Sequence, residues 1–182
     1  MQDQREEPNT PSGLLSLPPE LRNIIYRHVL VEPSNIVVPH GTLPPPQPGL
    51  LRSGKQVRRE AIKIYYTENV FTFRLRNYDA STYHKWAGKS ILHQKAPVKW
   101  KFHGSPNWAN LLQWLHWFND KECNGPSTRE MSADDKDQFA VAQLFAIVQE
   151  RQRGKLKEPW IQVEVLLEHV HQVMTAFKQR WA

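Results

Sequence analysis

The chain has 182 residues and a formal net charge of +6, and 40% of its residues are hydrophobic. This hydrophobic fraction, which includes seven tryptophans, is enough for a packed core and excludes a chain that is disordered throughout. No apolar run reaches the roughly 20 residues of a membrane-spanning helix, and a lone cysteine, Cys123, excludes an internal disulfide bond. We therefore expect an intracellular protein, cytoplasmic or nuclear, with one domain and at most a small appendage.

The N-terminal residues 1–13 are polar and predict a flexible tail. A first helix is predicted from Pro18 to Leu30, because proline is tolerated in a first turn and Glu20 complements the helix dipole there. Its hydrophobic residues form one stripe, and the polar residues, Arg22 among them, lie opposite. The stripe consists of Leu17, Leu21, Ile24, Ile25, Val29 and Leu30. A helix of this length is marginal in water, so the stripe must pack on this chain or on another protein.

Residues 33–48 form a proline-rich insertion. Within it, the β-branched run Ile36–Val38 predicts an edge strand, whereas residues 44–48 cannot be helical and are interpreted as a stiff spacer. A second helix is predicted from Leu50 to Tyr66, and the alternating residues 70–75 predict a strand after it.

The rest of the chain is predicted to be mainly helical. Residues 77–105 have an irregular, basic and aromatic pattern. Helices are then predicted from a Ser105 cap to Phe118, from Ser132 to about Arg153, and over residues 160–181, where a short initial strand is the alternative. The expected fold is α+β and mainly α, with a helical N-terminal half that holds a short strand or hairpin, packed on tryptophan-rich C-terminal helices.

No pattern of catalytic or metal-binding residues is present. Cys123 follows Glu122, whose negative charge would raise the pKa of the thiol and make it a poor nucleophile. The eight histidines lack zinc-site spacing, and the chain has no phosphate-binding, dinucleotide-binding or serine-nucleophile motif. We therefore expect no enzymatic activity, no cofactor and no metal.

Two sequence blocks resemble those of a known family. Residues 14–30 contain Leu-Pro-Pro-Glu-Leu-Arg and end in Val-Leu, and residues 49–73 contain Arg-Arg-Glu-Ala, Tyr-Tyr, Glu-Asn and Phe-x-Phe. Together they resemble the F-box-like proteins abundant in filamentous fungi. The chain differs from that pattern at Gly54, where cysteine is expected, and in the insertion 33–48.

The resemblance implies a non-enzymatic protein–protein interaction module. It divides the chain into the tail, an F-box-like region over residues 14–75, and a helical region over 76–182 that forms one compact unit with it. The implied partner is a Skp-type adaptor of a cullin ubiquitin ligase, or another protein. The implied partner-binding residues are Leu17, Pro18, Leu21, Ile24, Ile25 and Val29. The target and oligomeric state stay open, and a self-associating structural protein is a further hypothesis.

Positive charge is concentrated in residues 51–103, which hold twelve Lys and Arg against three Asp and Glu. Aromatic residues alternate with these cations, a mixture typical of proteins that stack bases on rings and pair phosphates with cations. The alternative hypothesis is therefore a nucleic-acid-binding protein. Its candidate residues are Arg58, Arg59, Arg74, Arg76, Lys95, Lys99, Lys101 and Trp100. In the competing interpretation the cations only solvate the surface and the rings belong to the core.

Overall fold

The computed structural model of the protein describes residues 13–42, 47–127, 136–153 and 158–177. In these ranges the chain forms seven α-helices and three β-strands, so the expected α+β, mainly α fold is confirmed. The elements are α1 Pro19–Leu30, β1 Ile36–Val38, α2 Lys55–Glu68, β2 Phe71–Arg76, α3 Ser81–Ala87, α4 Ile91–Lys95, β3 Val98–His103, α5 Trp108–Asn119, α6 Lys136–Arg153 and α7 Trp160–Phe177. Short 3-10 turns, Leu14–Ser16 and Gly49–Arg52, precede α1 and α2.

The three strands form one parallel sheet in the order β1-β2-β3. Phe73, in the central strand, pairs with Val38 on one side and Trp100 on the other. The edge strand at Ile36–Val38 and the strand after the second helix are thus confirmed. The predicted hairpin is wrong, because neighbouring strands run parallel and such strands need helical crossovers, here α2 and the pair α3 and α4.

One face of the sheet carries the core. Phe71, Phe73 and Leu75 of β2 are buried on this face, as expected for residues two apart in a strand. The rings of Tyr65 and Tyr66 on α2 lie 5.7 and 5.9 Å from the Phe71 ring. Helix α2 therefore packs on the core face, and the intervening residues of β2 point to the other face of the sheet.

The C-terminal helices close the same core. Trp114 of α5 is fully buried, with its ring 4.9 Å from Trp100 of β3 and 4.8 Å from Phe145 of α6. One side of α7 is buried in the core through Val163 and Leu167. A single cluster of buried side chains thus extends from α1 to α7. None of the helices in the described ranges is long and apolar enough to cross a membrane.

Several predicted boundaries differ from the structure. Helix α5 begins at Trp108, because the Oδ1 atom of Asn107, and not Ser105, accepts the cap hydrogen bond from the Asn110 amide at 2.9 Å. The apparently irregular residues 77–105 contain α3, α4 and β3. Helix α7 is helical from Trp160, so the alternative of an initial strand is wrong.

Some predictions lie outside the described residues. They concern the tail except Gly13, the spacer prolines Pro44–Pro46, the start of α6 at Ser132, and the last residues, 178–182.

Candidate functional site

Helix α1 turns a partly polar side towards the core. Arg22, Tyr26 and Leu30 are buried, and their spacing of four residues places them on one side of the helix. The sequence pattern places Leu30 in the hydrophobic stripe and Arg22 opposite it, and this separation is wrong, because both side chains are buried. The physical reason is a carboxylate on α2, that of Glu60, which pairs with Arg22 between the two helices.

Every oxygen of the Glu60 carboxylate has a partner. The Arg22 guanidinium donates from Nε to Oε2 and from Nη2 to Oε1, both at 2.9 Å, while its Nη1 donates to the Leu17 carbonyl at 2.7 Å. The Tyr26 hydroxyl donates to Oε2 at 2.8 Å, and Gln56 Nε2 donates to Oε1 at 3.0 Å. The hydrogen bonds from Arg22, and then those from Gln56 and Tyr26, lower the pKa of Glu60 from 4.5 to about 2. The pair is thus ionised at neutral pH.

A buried asparagine fixes the end of α1. Asn69 Nδ2 donates to the carbonyl of Leu30 at 2.8 Å and to that of Tyr65 at 2.9 Å. Its Oδ1 accepts from the amide of Glu32 at 2.8 Å. The last turns of α1 and α2 are therefore joined, and α1 is held against α2 near its start, at its middle and at its end.

The rest of α1 exposes several hydrophobic side chains. Leu21, Ile24 and Val29 are 48%, 62% and 53% exposed, and Leu17 and Ile25 are partly exposed beside them. We call this region the α1 surface. Its members are the six residues implied in partner binding, Leu17, Pro18, Leu21, Ile24, Ile25 and Val29. Four of the six are exposed and the other two, Leu17 and Ile25, are partly exposed.

Four of the candidate cations lie together on the outer face of the sheet. Arg74 and Arg76 of β2 and Lys99 and Lys101 of β3 are all exposed. The parallel register places Arg74 beside Lys101. We call these four residues the basic face.

The other candidate cations lie elsewhere. Arg58 and Arg59 belong to α2, which packs on the core face of the sheet. The Nη1 atom of Arg58 donates to Gln47 Oε1 at 2.6 Å. Lys95 is exposed at the end of α4. The structure therefore does not gather all of the predicted cations into one surface.

The aromatic residues of this segment face inward. The Trp100 ring lies 4.7 Å from that of Tyr83 and 4.9 Å from that of Trp114, and packs against the core. Tyr78 and Trp86 are buried. These rings are not placed to stack on the bases of a nucleic acid at the basic face.

Neither the cysteine nor the cleft between β3 and α6 has the features of a catalytic site. Burial raises the pKa of Cys123 to about 12, with a further increase from the Glu122 charge, so the thiol stays protonated at neutral pH. A cleft of about 410 Å³ between β3 and α6 is bordered by Trp100 and Phe145, and its described lining has no titratable side chain. Within the described ranges, no three His, Cys, Asp or Glu side chains converge as metal ligands.

Sequence reasoning missed the pair between Arg22 and Glu60. Two signals pointed to it: Arg22, Tyr26 and Leu30 repeat every four residues, and Gln56 and Glu60 are also four apart. Each set occupies one side of its helix. The hydrophobic stripe was the stronger pattern, so Arg22, Tyr26 and Leu30 were not identified from the sequence as the side of α1 that faces the core.

Compared with models of protein families, with curated proteins and with solved structures, the chain matches none of them. The likeness to F-box-like proteins therefore depends on the two sequence blocks alone. The α1 surface and the basic face are the two features of the fold that suggest a function.

Proposed function

We propose that this protein is a non-enzymatic interaction module that binds another protein through the α1 surface. The observation that carries the proposal is the exposure of hydrophobic side chains on α1, where Ile24 is 62% exposed while Arg22 is buried. A surface helix normally buries its hydrophobic side. Burial of exposed aliphatic side chains on a partner supplies binding free energy, so the α1 surface is suited to an apolar groove.

The pair between Arg22 and Glu60 keeps the α1 surface outward. If α1 rotated to bury Leu21 and Ile24 in its own core, the pair would break and leave a charge without its partner. Asn69 opposes the same rotation, because it bonds the carbonyl of Leu30 at the end of the helix. The contacts between α1 and α2 therefore keep the hydrophobic stripe exposed.

We infer that the partner is a Skp-type adaptor of a cullin ubiquitin ligase, for which this chain would be a substrate adaptor. The support is a coincidence of sequence and exposure. Leu17, Pro18 and Leu21 belong to the Leu-Pro-Pro-Glu-Leu-Arg block that resembles the F-box, and Pro18 and Leu21 are exposed while Leu17 is partly exposed. The remaining helices would then complete the fold and hold the target.

Calorimetric titration with a purified Skp-type adaptor tests the proposal. Truncation of Ile24 to alanine removes about 2 kcal/mol of burial, so Ile24→Ala should weaken binding about 30-fold. The charged variant Ile24→Glu should bind too weakly to measure. Both variants should keep the wild-type circular dichroism spectrum, because the side chain is largely exposed in the free protein.

Asn23→Ala is the matched control, because Asn23 is an exposed residue of the same helix outside the α1 surface. Its Kd should equal that of the wild type. A folded wild-type chain that does not bind the adaptor at micromolar concentrations would contradict the adaptor proposal. Light scattering on the free protein would also contradict it if the wild type were a dimer that Ile24→Glu converted to a monomer, since the α1 surface would then bind a second copy.

A further inference from the structure

Part of the outer face of the parallel sheet is open in the described part of the chain, around the exposed residues of the basic face and not at Thr72. Parallel sheets are normally covered on both faces. Here the helices that contact the sheet bury the core-face residues Phe71 and Phe73, whereas Arg74, Lys99 and Lys101 on the other face are exposed. An open parallel sheet face is unusual enough to require a reason.

The open face repeats positive charge at short spacing. Neighbouring strands are about 4.8 Å apart, and residues two apart in a strand are about 6.6 Å apart. Arg74 thus has Lys101 beside it on the next strand and Arg76 two residues along its own strand. Like charges at such positions repel each other and destabilise a sheet. The arrangement therefore costs stability in the free protein.

The face provides no anion of its own to balance this charge. The three strands contain no Asp or Glu. No residue of the basic face forms an ion pair with a residue in the described ranges. The register places His103, and not an acidic residue, beside Arg76. An external polyanion would relieve the repulsion.

The outward residues distinguish between two classes of polyanion. Protein interfaces depend on large hydrophobic or aromatic anchors, but Trp100 and Phe102 of β3 point to the core. The noncharged outward residues of β1 and β2 are Val37, which is 42% exposed, and Thr72, which is buried, and neither is aromatic. Nucleic acids bind well through phosphate charge alone. The face therefore suits a nucleic-acid backbone better than an acidic protein.

We infer that the basic face binds the phosphate backbone of a nucleic acid, through charge and without base stacking. The inference is independent of the α1 surface, which lies on a different element. The test is fluorescence anisotropy with a fluorescein-labelled, single-stranded oligonucleotide of 20 nucleotides in increasing salt. About four phosphate contacts give a slope of log K against log salt of about −3, since each phosphate contributes about −0.7.

The double variant Arg74→Gln with Lys101→Gln should reduce this slope to about −1.5 and weaken binding at low salt at least about tenfold. The matched control is Arg52→Gln with Lys63→Gln, which removes the same charge from exposed residues outside the basic face. Its slope should equal that of the wild type. Ile24→Glu should also bind the oligonucleotide normally, which separates this inference from the adaptor proposal.

Two outcomes would overturn the inference. One is a double variant that keeps the wild-type slope, because the contacts would then lie elsewhere. The other is a labelled 20-residue polyglutamate peptide that binds as tightly as the oligonucleotide and loses its binding in the same double variant, because the basic face would then be a site for acidic proteins.

Discussion

The residue that decides the orientation of α1 is Arg22. A buried arginine is stable only with its charge and donors satisfied, and here the Glu60 carboxylate and the Leu17 carbonyl satisfy them. Replacing a buried ion pair with hydrophobic residues often leaves stability unchanged, whereas removing one partner is strongly destabilising. The pair therefore contributes specificity: it selects which side of α1 faces the core.

The lowered pKa of Glu60 predicts a defined pH dependence. Because the folded-state pKa is about 2 and the ordinary value is 4.5, the carboxylate stabilises the fold above about pH 4.5. This stabilisation is lost as the pH falls from about 4.5 to 2. The Tm of the wild type should exceed that of Glu60→Gln by a constant amount from pH 7 to about 5, and the two values should converge as the pH approaches 2. Thermal unfolding followed by circular dichroism checks this.

The control for that measurement is Glu68→Gln. Glu68 accepts a hydrogen bond from Arg27 at 3.0 Å, but that arginine is exposed, and such pairs contribute at most about 1 kcal/mol. Its substitution should change the Tm only slightly at any pH. A difference between the wild type and Glu60→Gln that persists at pH 2 would show that the variant disturbs packing and not only charge.

At the scale of elements, α5 connects the sheet to the C-terminal helix. Its Trp108 ring stacks on His171 of α7 at 4.1 Å, and Trp108 Nε1 donates to Glu168 Oε1 at 2.6 Å. Further along, His116 stacks on Trp160 at 4.6 Å. These pairs place flat rings between the helices at two points and add to the burial of Val163 and Leu167 of α7.

Trp108→Ala should therefore loosen α7 selectively. Loss of the partly buried ring should lower the free energy of unfolding by about 2 kcal/mol, measured in urea. Native-state hydrogen exchange should show the largest loss of protection in α7, with α2 little changed. Gln113→Ala, at an exposed position on the same helix, should stay within about 0.5 kcal/mol of the wild type. An equal loss of protection in α2 and α7 would mean that Trp108 supports the whole core.

Periodicity predicts single elements of this protein better than their pairing. The hydrophobic side of α2, with Val57, Ala61 and Ile64, is buried as the sequence indicated. Helices α3 and α4 have only seven and five residues, too few for a helical period to appear. Parallel pairing depends on the crossovers, which no local pattern contains.

The candidate site shows the same contrast. Alternation in β3 places Lys99 and Lys101 on one face and Trp100 on the other. Once residues 98–103 are assigned to a strand, the sequence therefore predicts that the two lysines and the ring lie on opposite faces. The side of α1 that faces the core was not readable from α1 alone. It depends on Glu60, which is 38 residues away from Arg22 in the chain.

At the scale of the whole molecule, two exposed surfaces of opposite character share one core. The α1 surface exposes hydrophobic side chains, and the basic face exposes like charges beside each other. Both features are normally avoided on the surface of a protein that has no partner. The net charge of +6 adds to the repulsion within the basic face. A polyanion bound at the basic face would remove this repulsion.

This cost predicts that weakening the basic face stabilises the free protein. At 10 mM salt, where the Debye length is about 30 Å, Arg74→Gln with Lys101→Gln should raise the free energy of unfolding by about 0.5–1 kcal/mol. At 1 M salt, where it is about 3 Å, the gain should disappear. Arg52→Gln with Lys63→Gln, whose positions are not adjacent, should give less than half of that gain. Urea unfolding at both salt concentrations measures the effect. A double variant less stable than the wild type at low salt would mean that Arg74 and Lys101 stabilise the sheet, and the argument that the basic face exists for a ligand would lose its energetic basis.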